Sequence, residues 1–113
     1  MYVGVALYEI HIPLARSLKD KRRVVRSICD GIRTKHRVSV AEVSFQDKHQ
    51  RSRMAVSLVT PDGQIVGQVF ERILNDISFR GDAVLTGWTS ETLPFDEDAE
   101  LHVGSPPAGT DFS

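Results

Sequence analysis

The chain has 113 residues, 41% of them apolar and 26% charged, which fits one globular domain around one core and excludes a wholly disordered chain. Its single cysteine excludes an internal disulfide framework and a multi-cysteine zinc site, and no apolar run approaches the roughly 18 residues of a membrane span. The net charge of −1 hides a segregation: residues 1–90 carry all 14 Lys and Arg against nine acids, whereas residues 91–113 carry six acids and no base.

The N-terminus lacks a basic segment followed by a cleavable apolar stretch, so no secretory leader is expected and the cytoplasm is the expected compartment. Residues 2–12 are rich in Val, Ile, Leu and Tyr, end at Pro13, and predict a first strand. Residues 18–36 place apolar side chains at helical spacing. Residues 38–46 and 52–60 predict a strand pair joined by a polar connection, and Pro61 near a first turn opens a second helix. That helix aligns Ile65, Val66, Val69, Phe70, Ile73, Leu74 and Ile77 on one face and stops by Gly81. Residues 83–92 predict the last strand. Residues 94–113 hold three prolines and several acids with little to bury, and are expected to form a flexible acidic tail after a domain spanning 1–93. The order βαββαβ predicts a ferredoxin-like α+β fold, four antiparallel strands with two helices on one face.

The first helix carries the strongest signal. Residues 16–37 hold nine bases against Asp20 and Asp30. On a helical projection centred on Val25, an arc of roughly 100° holds Leu18, Val25, Ile28, Cys29 and Ile32 as a core face, with Lys21 and His36 near its ends. The next arc of similar width holds Lys19, Arg22, Arg23, Arg26, Arg33 and Arg37. Small residues on the far flank, Ser27 and Gly31 among them, would admit the second helix, with its Gly67 as counterpart. Ser17 and Asp20 form a capping signal that starts the helix at Leu18. Lys19, Lys21, Arg22 and Arg23, preceded by Arg16, then crowd the positive end of the macrodipole, where acids are preferred. Such a start favours an anion, so a phosphate-binding surface is expected along this stripe. A solvated face that aids solubility is the competing explanation, and mutual repulsion at i,i+3 and i,i+4 weighs against it.

Other chemistry is weaker. An RNA-recognition motif would display aromatics on its inner strands, and residues 51–60 contain none, so any nucleic acid is expected to meet the first helix rather than the sheet. Gln46, Asp47, His49, Gln50 and Arg51 crowd the connection between the second and third strands and form a possible polar site, although turn chemistry explains Asp47 equally well. No histidine pair has metal-ligand spacing, and no phosphate-binding glycine loop or nucleophile elbow is present. No metal, cofactor or catalytic activity is expected. Strand one carries Tyr2, Tyr8, Ile10 and Ile12 and reads as apolar on both faces, only one of which can meet helices. The other face is expected to be covered by a second subunit or by tail residues such as Phe95 and Leu101, with Trp88 on the same surface.

Two stretches carry a resemblance. Residues His11-Ile12-Pro13, then Ala15-Arg16-Ser17-Leu18-Lys19 and Lys21-Arg22-Arg23, and further on Ser39-Val40-Ala41-Glu42-Val43, Gln46-Asp47 and Gln50-Arg51, resemble the YlxP-like family of small bacterial proteins of unknown function. The resemblance covers roughly residues 2–92. It implies a ferredoxin-like fold, no enzymatic activity and no cofactor. The family's genes lie among those for translation initiation and ribosome maturation, which implies ribosomal RNA or a ribosomal subunit as partner. The positions it implies as functional are Arg16, Ser17, Lys19, Lys21, Arg22 and Arg23, with Gln46, Asp47 and Arg51 second. Leu14 stands where a glycine is expected, and the acidic tail is an addition whose acids could compete for the stripe. The expectation is a non-enzymatic RNA- or ribosome-associated module. The alternative is a protein-interaction or oligomeric scaffold, with a homo-oligomer formed through the open sheet face.

Overall fold

The computed structural model describes residues 1–104. The elements run β1 (Tyr2–His11), α1 (Leu18–His36), β2 (Ser39–Ser44), β3 (Arg51–Thr60), α2 (Gly63–Ser78) and β4 (Val84–Pro94). The sheet order is β2-β3-β1-β4, and every neighbouring pair is antiparallel. This is the ferredoxin-like arrangement, as the βαββαβ order predicts. Both helices lie on one face: α1 packs on β2, and α2 packs on β1 and β4.

The core follows the strand alternation. Ala6, Tyr8 and Ile10 of β1 and Met54 and Val56 of β3 point under the helices and are buried. They meet Val25, Ile28, Cys29 and Ile32 of α1 and Val66, Phe70, Ile73 and Ile77 of α2. Gly4 lies directly beneath α2, where a Cβ would collide with Val66 Cγ1, so the absence of a side chain sets how closely the helix approaches. Ile65 is exposed at the edge of the predicted α2 stripe, and Val69 and Leu74 are half-buried.

Several expected boundaries shift for local reasons. β2 ends at Ser44 rather than at residue 46, because the ladder slips between Glu42 and Ser44 and Phe45 takes φ of 64°. Pro61 precedes the α2 cap instead of entering its first turn. Asp62 is the N-cap and accepts from the Gln64 N–H at 2.9 Å. The last strand runs two residues past the expected end, because Leu93 and Pro94 stay in register with Val3 and Tyr2. Phe95 then donates its N–H to the Met1 carbonyl at 2.9 Å. Gly67 is exposed with nothing near it, so it is no counterpart for Gly31. The helices are tied instead by polar side chains: Lys35 and His36 of α1 reach Asp76 of α2 at 2.9 and 2.6 Å, and Arg80 reaches Ser27 at 3.3 Å.

Candidate nucleic-acid interface

α1 starts where the capping signal places it. Ser17 is extended, its hydroxyl accepts from the Asp20 N–H at 3.1 Å, and Asp20 Oδ2 accepts from the Arg16 N–H at 3.0 Å. The Ser17 hydroxyl therefore closes the cap. Its nearest neighbours in the stripe are Arg16 and Lys19, both exposed.

The eight predicted bases differ in environment. Lys19, Arg22, Arg23 and Arg26 are exposed and line one shallow cleft, together with Ser27 and Asp30. Among the described residues none of these four side-chain cations has a carboxylate within 4.0 Å, and the same holds for the guanidinium groups of Arg16 and Arg37. Arg37 is the helix C-cap with φ of 54°, and its N–H returns to the Arg33 carbonyl, so it marks the far end of the stripe. Arg33 is partly committed inward: it donates to the Val40 carbonyl at 2.6 Å and meets Asp30 at 3.2 Å.

Lys21 leaves the stripe altogether. It is 1% exposed, its Nζ lies 3.0 Å from Glu42 Oε2, and it also donates to the Phe45 carbonyl. Glu42 in turn accepts from the Ser52 hydroxyl at 2.5 Å. An ammonium enclosed in this way cannot reach a phosphate, so its inclusion among the binding residues is corrected. Its angular position between core face and stripe carries the signal, and only the placement of Glu42 beneath it decides which side it joins.

The second predicted cluster does not assemble into one site. Phe45 and Lys48 close a turn by a 3.0 Å backbone bond, with Gln46 and Asp47 exposed at its tip. Among the described residues Asp47 makes no hydrogen bond to His49, so no acid–base pair is formed there. Gln50 ties this connection to the segment before α1, donating to the Pro13 and Ala15 carbonyls at 3.2 Å. Arg51 turns onto the sheet instead. It lies 3.1 Å from Glu9, and its guanidinium stands 4.3 Å above the Phe45 ring. Arg53 meets Glu9 at 2.9 Å, and Thr86 donates to the same carboxylate at 3.3 Å. These contacts hold the Glu9 carboxyl below the usual carboxylate range, the Arg53 and Arg51 hydrogen bonds acting first. Composition alone could not pair Glu9 with Arg51 and Arg53, because the pairing depends on the β1–β3 register.

The remaining reactive groups are structural. Burial pushes the Cys29 thiol up, leaving it a small core side chain. Tyr8 is buried and its phenol is pushed up by desolvation. Trp88 belongs to the helix side of the sheet, not to the open side: it stacks on Tyr8 at 5.6 Å and meets the Phe70 edge at 5.7 Å. Of the acids after β4, Glu97 pairs with the N-terminal ammonium at 2.6 Å, and none of Asp96, Glu97, Asp98 and Glu100 reaches a base of the stripe. Asp111 lies outside the described residues. No helix among the described residues is long and apolar enough to cross a membrane.

A family described as a protein of unknown function, DUF503, matches residues 3–89. The uncharacterized protein YlxP of Bacillus subtilis (strain 168) is 32% identical over 72 residues, which are 64% of this chain and 78% of that protein. A de novo designed protein with ferredoxin fold, studied by solution NMR, aligns over 95% of this chain and 96% of its own length at 12% identity and a TM-score of 0.46. The family match runs from β1 into β4 and takes in the whole of α1 and the β2–β3 connection, in agreement with the YlxP-like resemblance of those stretches. This chain therefore belongs to the DUF503 family of proteins of unknown function.

Proposed function

We propose that this protein is a non-enzymatic RNA-binding module that docks on ribosomal RNA or a ribosomal subunit through the phosphate backbone. The observation that carries the reading is the cleft on α1, where Lys19, Arg22, Arg23 and Arg26 stand exposed together and, among the described residues, form no ion pair; Asp30, which shares the cleft, pairs with Arg33 instead. Each of the first three also lies near the positive end of the helix dipole, an arrangement that weakens the isolated helix and is relieved by an anion. Arg16, exposed just before the N-cap, and Arg37 at the C-cap stand at the two ends of the stripe. The sheet offers no exposed aromatic ladder for stacking bases, so the contact is with phosphates and shape.

The test is binding of single-stranded and ribosomal RNA across a salt series, with co-sedimentation on ribosomal subunits. Four cleft contacts on a single strand should make log K fall with log salt at a slope of about −3. Replacing Arg22, Arg23 and Arg26 together by Glu should abolish binding and leave the melting temperature nearly unchanged, since all three side chains are exposed. A salt-independent affinity, or a triple variant that binds like the wild type, would remove RNA from the account.

A further inference from the structure

Helices cover only one face of the sheet. The other face is built by the odd positions of β1 and their register partners. Val3 sits between Val59 and Leu93, Val5 between Ser57 and Glu91, and Leu7 between Ala55 and Thr89. Val59 is 67% exposed, Leu93 43% and Val5 39%. Strand one is apolar on both faces, as expected, but Tyr8 and Ile10 are even positions and lie buried on the helix side. The apolar character of the face comes from Val3, Val5 and Leu7 instead.

The described chain does not cover this surface. Phe95 pairs its backbone with Met1 at the end of the sheet and stays 59% exposed, and Leu101 is 89% exposed. Residues 105–113 contain one large apolar residue, Phe112, which is too little for a four-stranded face. The charges on the face also narrow the choice of partner. Glu9 pairs with both Arg51 and Arg53 at one end, which leaves one positive charge there, and Glu91, the register partner of Val5 on the edge strand β4, balances it. The face therefore carries no net charge for an acidic or basic partner to match, and its β1–β3 strip, Val3, Val5 and Leu7 against Val59, Ser57 and Ala55, is uncharged. That strip fits a flat, uncharged, Val- and Ala-rich surface, and this chain itself carries one.

We propose that this face is the interface of a homodimer, two sheets packed face to face across a two-fold axis. Aligned or orthogonal sheets pack about 10 Å apart with their side chains interdigitated, and small β-branched residues suit that spacing. The strands number 10, 6, 10 and 11 residues. At about 4.8 Å between strands and 3.3 Å per residue, the face offers roughly 600 Å² per copy. A pair then buries about 1,200 Å², which reaches the range of specific interfaces. The contact is isologous, so the paired ions of Glu9, Arg51 and Arg53 fall at its rim in both copies, around an apolar centre.

Sedimentation velocity of the full chain tests the proposal. At about 100 µM, well above a micromolar dissociation constant, the wild type should sediment at twice the chain mass. The variant Val5→Lys with Val59→Lys should be monomeric at that concentration with an unchanged far-UV spectrum. If that variant misfolds, Val59→Lys alone, at a position 67% exposed, should weaken dimerisation at least about 10-fold. The Glu triple variant of Arg22, Arg23 and Arg26 should remain dimeric, which separates this interface from the RNA reading. A monomeric wild type, a lysine variant that stays fully dimeric, or a monomeric stripe variant would each overturn the proposal.

Discussion

Lys21 and Arg22 are neighbours in sequence and differ completely in environment. One helical step of about 100° carries Lys21 under the β2–β3 hairpin and leaves Arg22 in solvent. Lys21 then acts as a buried tie, linking α1 to Glu42 and to the carbonyl of Phe45, whose positive φ begins the turn. Phe45 in turn supports the guanidinium of Arg51. Lys21→Met keeps the apolar stem and removes the charge, leaving Glu42 with Ser52 as its hydrogen-bond donor. Breaking a buried pair in this way should lower stability by about 3 kcal/mol, measured by urea denaturation. Because Lys21 faces inward, the folded variant should keep the wild-type salt slope for RNA. A lower slope would return Lys21 to the binding surface.

At the scale of elements, α1 serves two surfaces at once. Its apolar face closes the core, and its basic stripe stays open. Its C-terminal turn also fastens α2 through Asp76, which accepts from Lys35 and meets His36. The Lys35 hydrogen bond first, and the His36 bond with it, hold the Asp76 carboxyl below its ordinary 3.8. A carboxyl whose folded value is depressed contributes stability that is fully present above its unfolded value. That contribution is lost as pH falls through the lower folded value. Glu9 and Asp82 shift the same way, each held by arginine. The wild type should therefore lose urea resistance on going from about pH 4 towards pH 2. Asp76→Asn should start lower near neutral pH and show a shallower acid decline; an identical slope would mean that this link carries no pH-dependent stability.

For the whole molecule, the two proposals together fix a layout. With the open sheet faces joined, the helices of both copies point outward, so the two α1 clefts lie on opposite sides of the assembly. Neither cleft then shares phosphates with the other on a short strand. A short RNA should bind at one strand per chain, two per dimer, without cooperativity, as measured by titration calorimetry. One strand per dimer would place both clefts on a common surface and contradict the sheet-to-sheet arrangement. The acidic stretch after β4 also has a defined start. It leaves beside Met1, at the end of the sheet where α1 finishes, and Glu97 is already paired with the N-terminus. The N-terminal half of the stripe lies at the opposite end, because α1 runs antiparallel to β1 along the sheet.

Element order, the α1 start at Ser17, the core face of both helices and the grouping of bases beside that face were all legible in the residues. These depend on local periodicity and capping, which act over one or two turns. Tertiary structure alone decided the rest. Lys21 was ambiguous by angle until Glu42 lay beneath it. Glu9 paired with Arg51 and Arg53 only through the β1–β3 register, and Trp88 joined the helix side by stacking on Tyr8. Which residues form the open apolar face likewise depended on which parity of β1 met the helices. Side-chain period tells that a strand has two faces, but only packing says which of them is covered.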